Sequence, residues 1–309
     1  MLSRLRLRPA YRANPQAVAV SAPEAPAPDE PAVLPLFDFD GAAMFADREI
    51  WSRLDAELVR LRASGRHAIR ILDAGCGNGM WLLRLAVRAR DLGFTAIDGR
   101  GFDSSREKIA QALARQSAAD DPHVGLCFDV APMATALDEE EDESFDIVLC
   151  LNDLLNQLAF DERLAAVAAL ARVADGSAFI CVRAAGSSPP PDIADADRAR
   201  SFRQDNAVDR LTIDLSDGRQ IEIPSHLFTA SELQELFARD FETVELVGLD
   251  LFHGRFAPNP RWNPAIISNE RIRDSLVRLE HLCAHDPLFL DRAAHVLLHA
   301  RSKSSTAAA

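Results

Sequence analysis

Ile69-Arg70-Ile71-Leu72-Asp73-Ala74-Gly75-Cys76-Gly77-Asn78-Gly79-Met80-Trp81 is the stretch from which the rest of the chain is read. Ile69, Ile71 and Leu72 are β-formers in a short apolar run, and Gly75, Gly77 and Gly79 follow at alternate positions. Leu82, Leu83, Leu85, Ala86 and Ala89 then recur at helical spacing. The stretch predicts a buried strand, a glycine turn and the start of a helix. Glycine suits such a turn because it tolerates φ > 0 and lets the backbone approach a ligand with no Cβ in the way. A strand feeding a helix through it aims backbone N–H groups at whatever sits above the sheet.

The spacing is G-x-G-x-G. A dinucleotide site has G-x-G-x-x-G, and Met80 stands where its third glycine would be. Asp73 adds a carboxylate at the strand end. That is a poor neighbour for a pyrophosphate and a good one for a cationic amine or sulfonium. Leu72-Asp73-Ala74-Gly75-Cys76-Gly77-Asn78-Gly79 resembles motif I of the class I S-adenosylmethionine-dependent methyltransferases. The resemblance implies that Asp73, Gly75, Cys76, Gly77 and Gly79 bind S-adenosylmethionine.

Further strand ends fit the same resemblance. Gly101-Phe102-Asp103-Ser104-Ser105 looks like the family's second motif, in which Asp103 takes two ribose hydroxyls, with Ser104 beside it. Asp98 competes for that role, being closer to the usual spacing from the first motif. Asp103 is preferred because Ser104 and Ser105 then cap the next helix. The third strand, 124–130, ends at Asp129 and Val130, which the resemblance assigns to the adenine amine and ring. Phe145-Asp146-Ile147-Val148-Leu149-Cys150-Leu151 is a nearly continuous apolar strand, as one buried on both faces should be. It resembles the fourth motif, whose end lies beside the reactive methyl. Cys150 therefore falls on the cofactor side, and Asn152 and Asp153 are candidates for the catalytic side. Helix 161–174 and strand 177–183 complete another unit.

Strand and helix thus alternate from 69 to 183, which predicts a doubly wound, mostly parallel sheet with helices on both faces. The expected fold is a Rossmann-like α/β domain of seven strands with an antiparallel last strand and an inserted β-hairpin. The hairpin is read from Leu211-Thr212-Ile213-Asp214-Leu215 and Gln220-Ile221-Glu222-Ile223, which alternate around Ser216-Asp217-Gly218-Arg219. Thr229 and Glu232 form a capping box for the next helix. Phe241–Leu249 and 295–301 read as the last two strands. Before the sheet, Met44, Phe45, Ile50, Trp51, Leu54, Leu58 and Leu61 form an apolar helical stripe with Asp40 at its N-cap. A later helix carries Ile272, Leu276, Leu279 and Leu282 on one face.

Residues 1–36, Arg-rich and then Pro- and Ala-rich, read as a disordered basic tail, with an organelle transit peptide as the alternative. One methyltransferase domain is expected over 37–303, with its cofactor core at 69–183 and acceptor-side insertions at 184–228 and 250–292. His226, His253 and Arg255 lie in those insertions. The histidines could take a proton, and Arg255 could hold an anionic acceptor.

Net charge is -13, which disfavours a nucleic-acid substrate and leaves a small molecule as the expected acceptor. The five cysteines form no C-x-x-C pair, so no metal site is expected. No apolar run is long enough to span a bilayer, and a cytoplasmic protein is expected. The rival readings are an NAD(P)-dependent oxidoreductase and a non-catalytic protein that kept the fold as a scaffold. The single tyrosine, Tyr11, leaves no Tyr-x-x-x-Lys pair for the first of these.

Overall fold

The structure, a computed structural model, describes residues 45–116, 121–151, 153–187, 199–252 and 270–303. The tail 1–36, Asp40, Asn152, His253 and Arg255 lie outside the described residues.

The glycine stretch folds as read. Strand β1 (Ala68–Ala74) runs through the turn into helix α2 (Met80–Asp91), which buries Leu82, Leu83, Leu85, Ala86 and Ala89. The chain continues as β2 (Ala96–Asp103), α3 (Arg106–Gln116), β3 (Val124–Val130), α4 (Met133–Asp138) and β4 (Phe145–Cys150). A single 3-10 turn (Leu154–Gln157), α5 (Phe160–Val173) and β5 (Ala174–Arg183) follow. These strands join β9 (Phe241–Leu249) and β10 (His295–Ser302) in one seven-stranded sheet of order β3-β2-β1-β4-β5-β10-β9. The first five are mutually parallel, and β10 runs antiparallel to both β5 and β9.

All six residues of β4 are buried, as the apolar run required. On one face Leu72, Val148, Ile180 and Leu298 pack against Met133 of α4, Leu170 of α5, and Leu233 and Phe237 of α6 (Ala230–Phe237). Thr229 caps α6, its hydroxyl accepting the Glu232 N–H at 3.1 Å.

Helix α1 (Phe45–Ala63) buries Ile50, Leu54, Leu58 and Leu61, the expected stripe, together with two carboxylates. Glu57 accepts the Ser177 hydroxyl of β5 at 2.7 Å and pairs with Arg60 at 2.6 Å. Arg53 bridges Glu49 and, at 2.9 Å, Glu245 of β9. A hydrogen bond from His299, with Arg53 behind it, holds the Glu245 carboxyl down at about 2. Ion pairs as well as apolar packing therefore seat α1.

One expectation is corrected. The inserted hairpin is a three-stranded antiparallel sheet, β6 (Ala199–Asp205), β7 (Arg210–Leu215) and β8 (Gln220–Pro224). The helix read with Ile272, Leu276, Leu279 and Leu282 on one face is α7 (Glu270–Ala284), where Ile272, Leu279 and Leu282 are exposed. Its buried anchor is Glu280, whose carboxylate accepts the backbone N–H groups of Leu251 and Phe252. A short helix α8 (Pro287–Leu290) then leads into β10. No described helix is long and apolar enough to cross a membrane.

Candidate active site

Right-handed crossovers bring the C-terminal ends of the parallel strands to one edge of the sheet. Because β10 runs the other way, its first residue, His295, arrives at that same edge, opposite Arg183 and Leu249.

Gly75, Gly77 and Gly79 have φ of 73°, 56° and 76°, a left-handed run that side-chain-bearing residues resist. A Cβ on Gly79 would lie 2.9 Å from both the Ala112 Cβ and the Phe128 ring. Gly79 thus performs the close packing that a dinucleotide fingerprint assigns to a glycine one place later. Asp103 ties the turn down. One of its oxygens accepts the Gly77 N–H at 3.0 Å, and the other accepts the Ser105 N–H at 2.8 Å. The Ser105 hydroxyl accepts the Lys108 N–H and so caps α3, while Ser104 is exposed.

Beneath the turn Asp73 is fully buried, and neither carboxylate oxygen has a hydrogen-bond partner among the described residues. Burial, reinforced by the charge of Asp103, pushes its carboxyl up to about 7. A carboxylate held in this way is one that a cationic ligand at the turn would satisfy. The residues present therefore fit a sulfonium-bearing amino acid.

The competing Asp98 pairs in register with Arg70, far down β2 from the strand tip, and forms an exposed ion pair with that arginine at 3.2 Å. Asp129 and Val130 stand at the tip of β3, with Val130 opposite Asp103. The Asp129 carboxylate leans back toward Arg100 at 3.4 Å. Cys150 is fully buried, and burial beside Asp73 and Asp153 raises its thiol to about 12.

A cavity of about 870 Å³ opens from the turn along the sheet edge. Cys76, Gly77 and Trp81 line its turn end. Ala46, Asp47 and Ile50 of α1 border it, so the helix that precedes the sheet forms part of its wall. Leu211, Ile223 and Pro224 of the inserted sheet give it an apolar side. Asp153, Arg183, Asp250 and His295 line the far end.

That far end is dense in charge. His295 Nε2 lies 3.3 Å from an Asp153 oxygen. Burial works against a charged His295, but the hydrogen bond and field of Asp153, with Asp250 behind, outweigh it and raise the imidazole above its usual value. Asp250 and Asp153 both adopt left-handed backbone, with φ of 56° and 55°. Burial lifts the Asp250 carboxyl to about 6, opposed by His295 and furthered by Asp47. Arg183 is buried and donates to the Ser187 and Ser225 hydroxyls at 3.2 and 3.3 Å.

His226 does not join this group. Its Nδ1 meets Asp209 at 2.7 Å, its Nε2 meets Glu232 at 2.7 Å, and its ring packs edge-on against Phe228. The residue sequence reasoning missed is His295. The available signal was its position at the start of an antiparallel strand, which delivers it to the edge where the parallel strands end.

Residues 71–175 match a family model described as a methyltransferase domain. The chain resembles the magnesium protoporphyrin IX methyltransferase of Synechocystis PCC 6803 with bound SAM, at 14% identity over 82% of this chain and 79% of that one, TM-score 0.43. A SAM-dependent methyltransferase from Methanosarcina mazei is 16% identical, over 77% of this chain and 93% of that one, TM-score 0.43. An S-adenosylmethionine-dependent methyltransferase from Mesorhizobium loti is 18% identical, over 85% and 99%, TM-score 0.43. No curated protein matches the sequence.

Proposed function

We propose that the chain, whose residues 71–175 match a methyltransferase domain, is a class I S-adenosylmethionine-dependent methyltransferase that methylates a small-molecule acceptor held at the far end of the cavity. The observation that carries this reading is Asp73, a wholly buried carboxylate with no hydrogen-bond partner among the described residues, beneath a turn of three left-handed glycines.

S-adenosylmethionine supplies a methyl group already activated on a sulfonium, so the protein's work is to bind, orient and exclude water. In this reading Asp73 answers the positive charge of the ligand. Gly75, Cys76, Gly77 and Gly79 offer it backbone, and Asp103 and Ser104 take the ribose. Asp129 and Val130 serve the adenine, and Cys150 backs the site. A carboxylate has about four lone-pair sites, so Asp103 can keep its two backbone donors and accept hydroxyls as well. On the acceptor side Asp153 lines the cavity, and Asn152, His253 and Arg255 are proposed there from their places in the sequence. His226, with both ring nitrogens engaged by carboxylates, is given no part in the transfer.

Two features support a small acceptor. The inserted sheet closes one side of the cavity with apolar side chains, and the net charge of -13 opposes a phosphate backbone.

Calorimetry is expected to show S-adenosylmethionine binding and no heat with NAD. Binding of NAD without binding of S-adenosylmethionine overturns the proposal. Asp103→Ala is expected to lose two charge-assisted hydrogen bonds to the ribose, at about 1.5–3 kcal/mol each in gross terms, and so at least tenfold in affinity. A larger loss in Asp98→Ala would move the ribose to the wrong place on β2 and refute the assignment.

A further inference from the structure

We infer that His295, oriented by Asp153, is the proton acceptor for methyl transfer, and that the acceptor is a molecule whose nucleophilic oxygen or nitrogen carries a proton that must leave. The inference rests on the methyltransferase reading above and adds to it a residue and a chemical class.

Three independent placements converge. His295 lies at the sheet edge because β10 is antiparallel to its neighbours. Asp153 reaches the same point from the end of β4, held in left-handed backbone at the start of the 3-10 turn. Both side chains line the cavity and both are partly open to it, at 31% and 25% side-chain exposure. Nothing in packing alone asks for a strained, partly exposed aspartate opposite a histidine in the lining of a ligand cavity.

The chemistry follows from the ring. A neutral imidazole has one donor and one acceptor nitrogen. With Nε2–H given to Asp153, the lone pair is on Nδ1. As the acceptor's heteroatom forms its bond to the methyl carbon, the carbon–sulfur bond breaks and its electron pair stays on sulfur. The proton of the heteroatom passes to Nδ1, and Asp153 steadies the imidazolium that results. Release of that proton to water after product leaves restores the site. Asp153 is a positioning residue in this scheme, since it acts through His295.

Every element around the ring contributes to its titration. Asp153 from the end of β4 and Asp250 from the end of β9 raise it, while Arg183 of β5 lowers it. Asp47 of α1 faces Asp250 and acts on it in turn. A base works when deprotonated, so turnover should rise with pH through an inflection above the ordinary histidine value of about 6.5.

The test uses the full chain, labelled S-adenosylmethionine and, as acceptor, the dialysable metabolite fraction of a cell lysate, followed by methyl incorporation against pH. His295→Gln is expected to lower the rate at least a hundredfold with S-adenosylmethionine affinity by calorimetry within twofold of wild type. Asp153→Asn is expected to move the inflection down, a change that mere loosening of the fold would not produce. Wild-type rates in His295→Gln, or an unmoved inflection in Asp153→Asn, overturn the inference and leave the methyltransferase reading standing. No incorporation by the wild-type chain that still binds S-adenosylmethionine removes both the small-molecule acceptor and this inference.

Discussion

Asp73→Asn is expected to stabilise the cofactor-free protein at pH 8 and, at the same time, to weaken S-adenosylmethionine binding ten- to a hundredfold. The two effects share one cause. The carboxylate is fully buried with neither oxygen paired among the described residues, and burial with the charge of Asp103 lifts it to about 7. In the unfolded chain the same group titrates at about 3.9. A folded-state value above the unfolded one makes a stabilising contribution that is complete below about pH 4 and lost as the pH climbs through about 7. Above that the folded protein carries the full cost. Three pH units at about 1.4 kcal/mol each come to about 4 kcal/mol. Asparagine cannot ionise, and leaves a buried unpaired amide costing about 1–3 kcal/mol. The balance at pH 8 is a gain of about 1–3 kcal/mol, a rise of a few degrees in unfolding temperature for a chain of this size. At pH 5, about one unit above the unfolded value, wild type has lost only about 1.5 kcal/mol, so the advantage of the variant should vanish or reverse. The lost affinity reflects a missing charge-assisted contact of about 1.5–3 kcal/mol. Melting curves at pH 5 and pH 8, with and without S-adenosylmethionine, decide it. A variant that melts lower at pH 8 and binds as tightly as wild type shows that Asp73 is only a packing residue.

Gly79→Ala should cost about 2–5 kcal/mol of stability, a large share of the roughly 5–15 kcal/mol of a typical domain. Forcing a side-chain-bearing residue into φ 76° costs about 1–2 kcal/mol. The new methyl would stand 2.9 Å from the Ala112 Cβ and the Phe128 ring, and overpacking of that kind costs a further 1–3 kcal/mol or so. Gly218→Ala in the turn between β7 and β8 separates the two terms. It has φ 85° and nothing within 4 Å of the added carbon, so it carries the strain alone. Urea unfolding should therefore give Gly79→Ala the lower midpoint by a clear margin. Equal midpoints would mean that α3 and β3 give way at no cost and that the turn is not packed as described.

What the sequence made legible was whatever local chemistry determines. The glycine turn needed φ > 0 three times, and three glycines are there. The alternation around Ser216-Asp217-Gly218-Arg219 placed β7 and β8. Strand β6 escaped because Ala-Arg-Ser-Phe-Arg-Gln-Asp has no alternation to read. Its Phe202 is exposed, and the strand is held by backbone pairing to β7. What holds α7 is not written in its stripe: the Glu280 carboxylate accepts two backbone amides, and Cys283 and Ala284 are buried beside it. His226 drew notice as a lone histidine in an insertion, but its two carboxylate partners are contributed by β7's approach and α6, a pairing no local pattern announces. His295 and Asp153 are separated by most of the domain in sequence and meet only through sheet order.

That order has a consequence for how the protein is made. β10 lies between β5 and β9, so neither neighbour has its partner until the final strand exists. During vectorial synthesis the edge of β5, with Ile180 and Val182 destined for the core, stays an open template from Arg183 until the ribosome reaches His295. An apolar edge left unpaired for that interval invites pairing with a neighbouring nascent chain. A break in the chain before His295 therefore removes the strand next to the rim and strips the rim strand, β9, of its neighbour in the sheet.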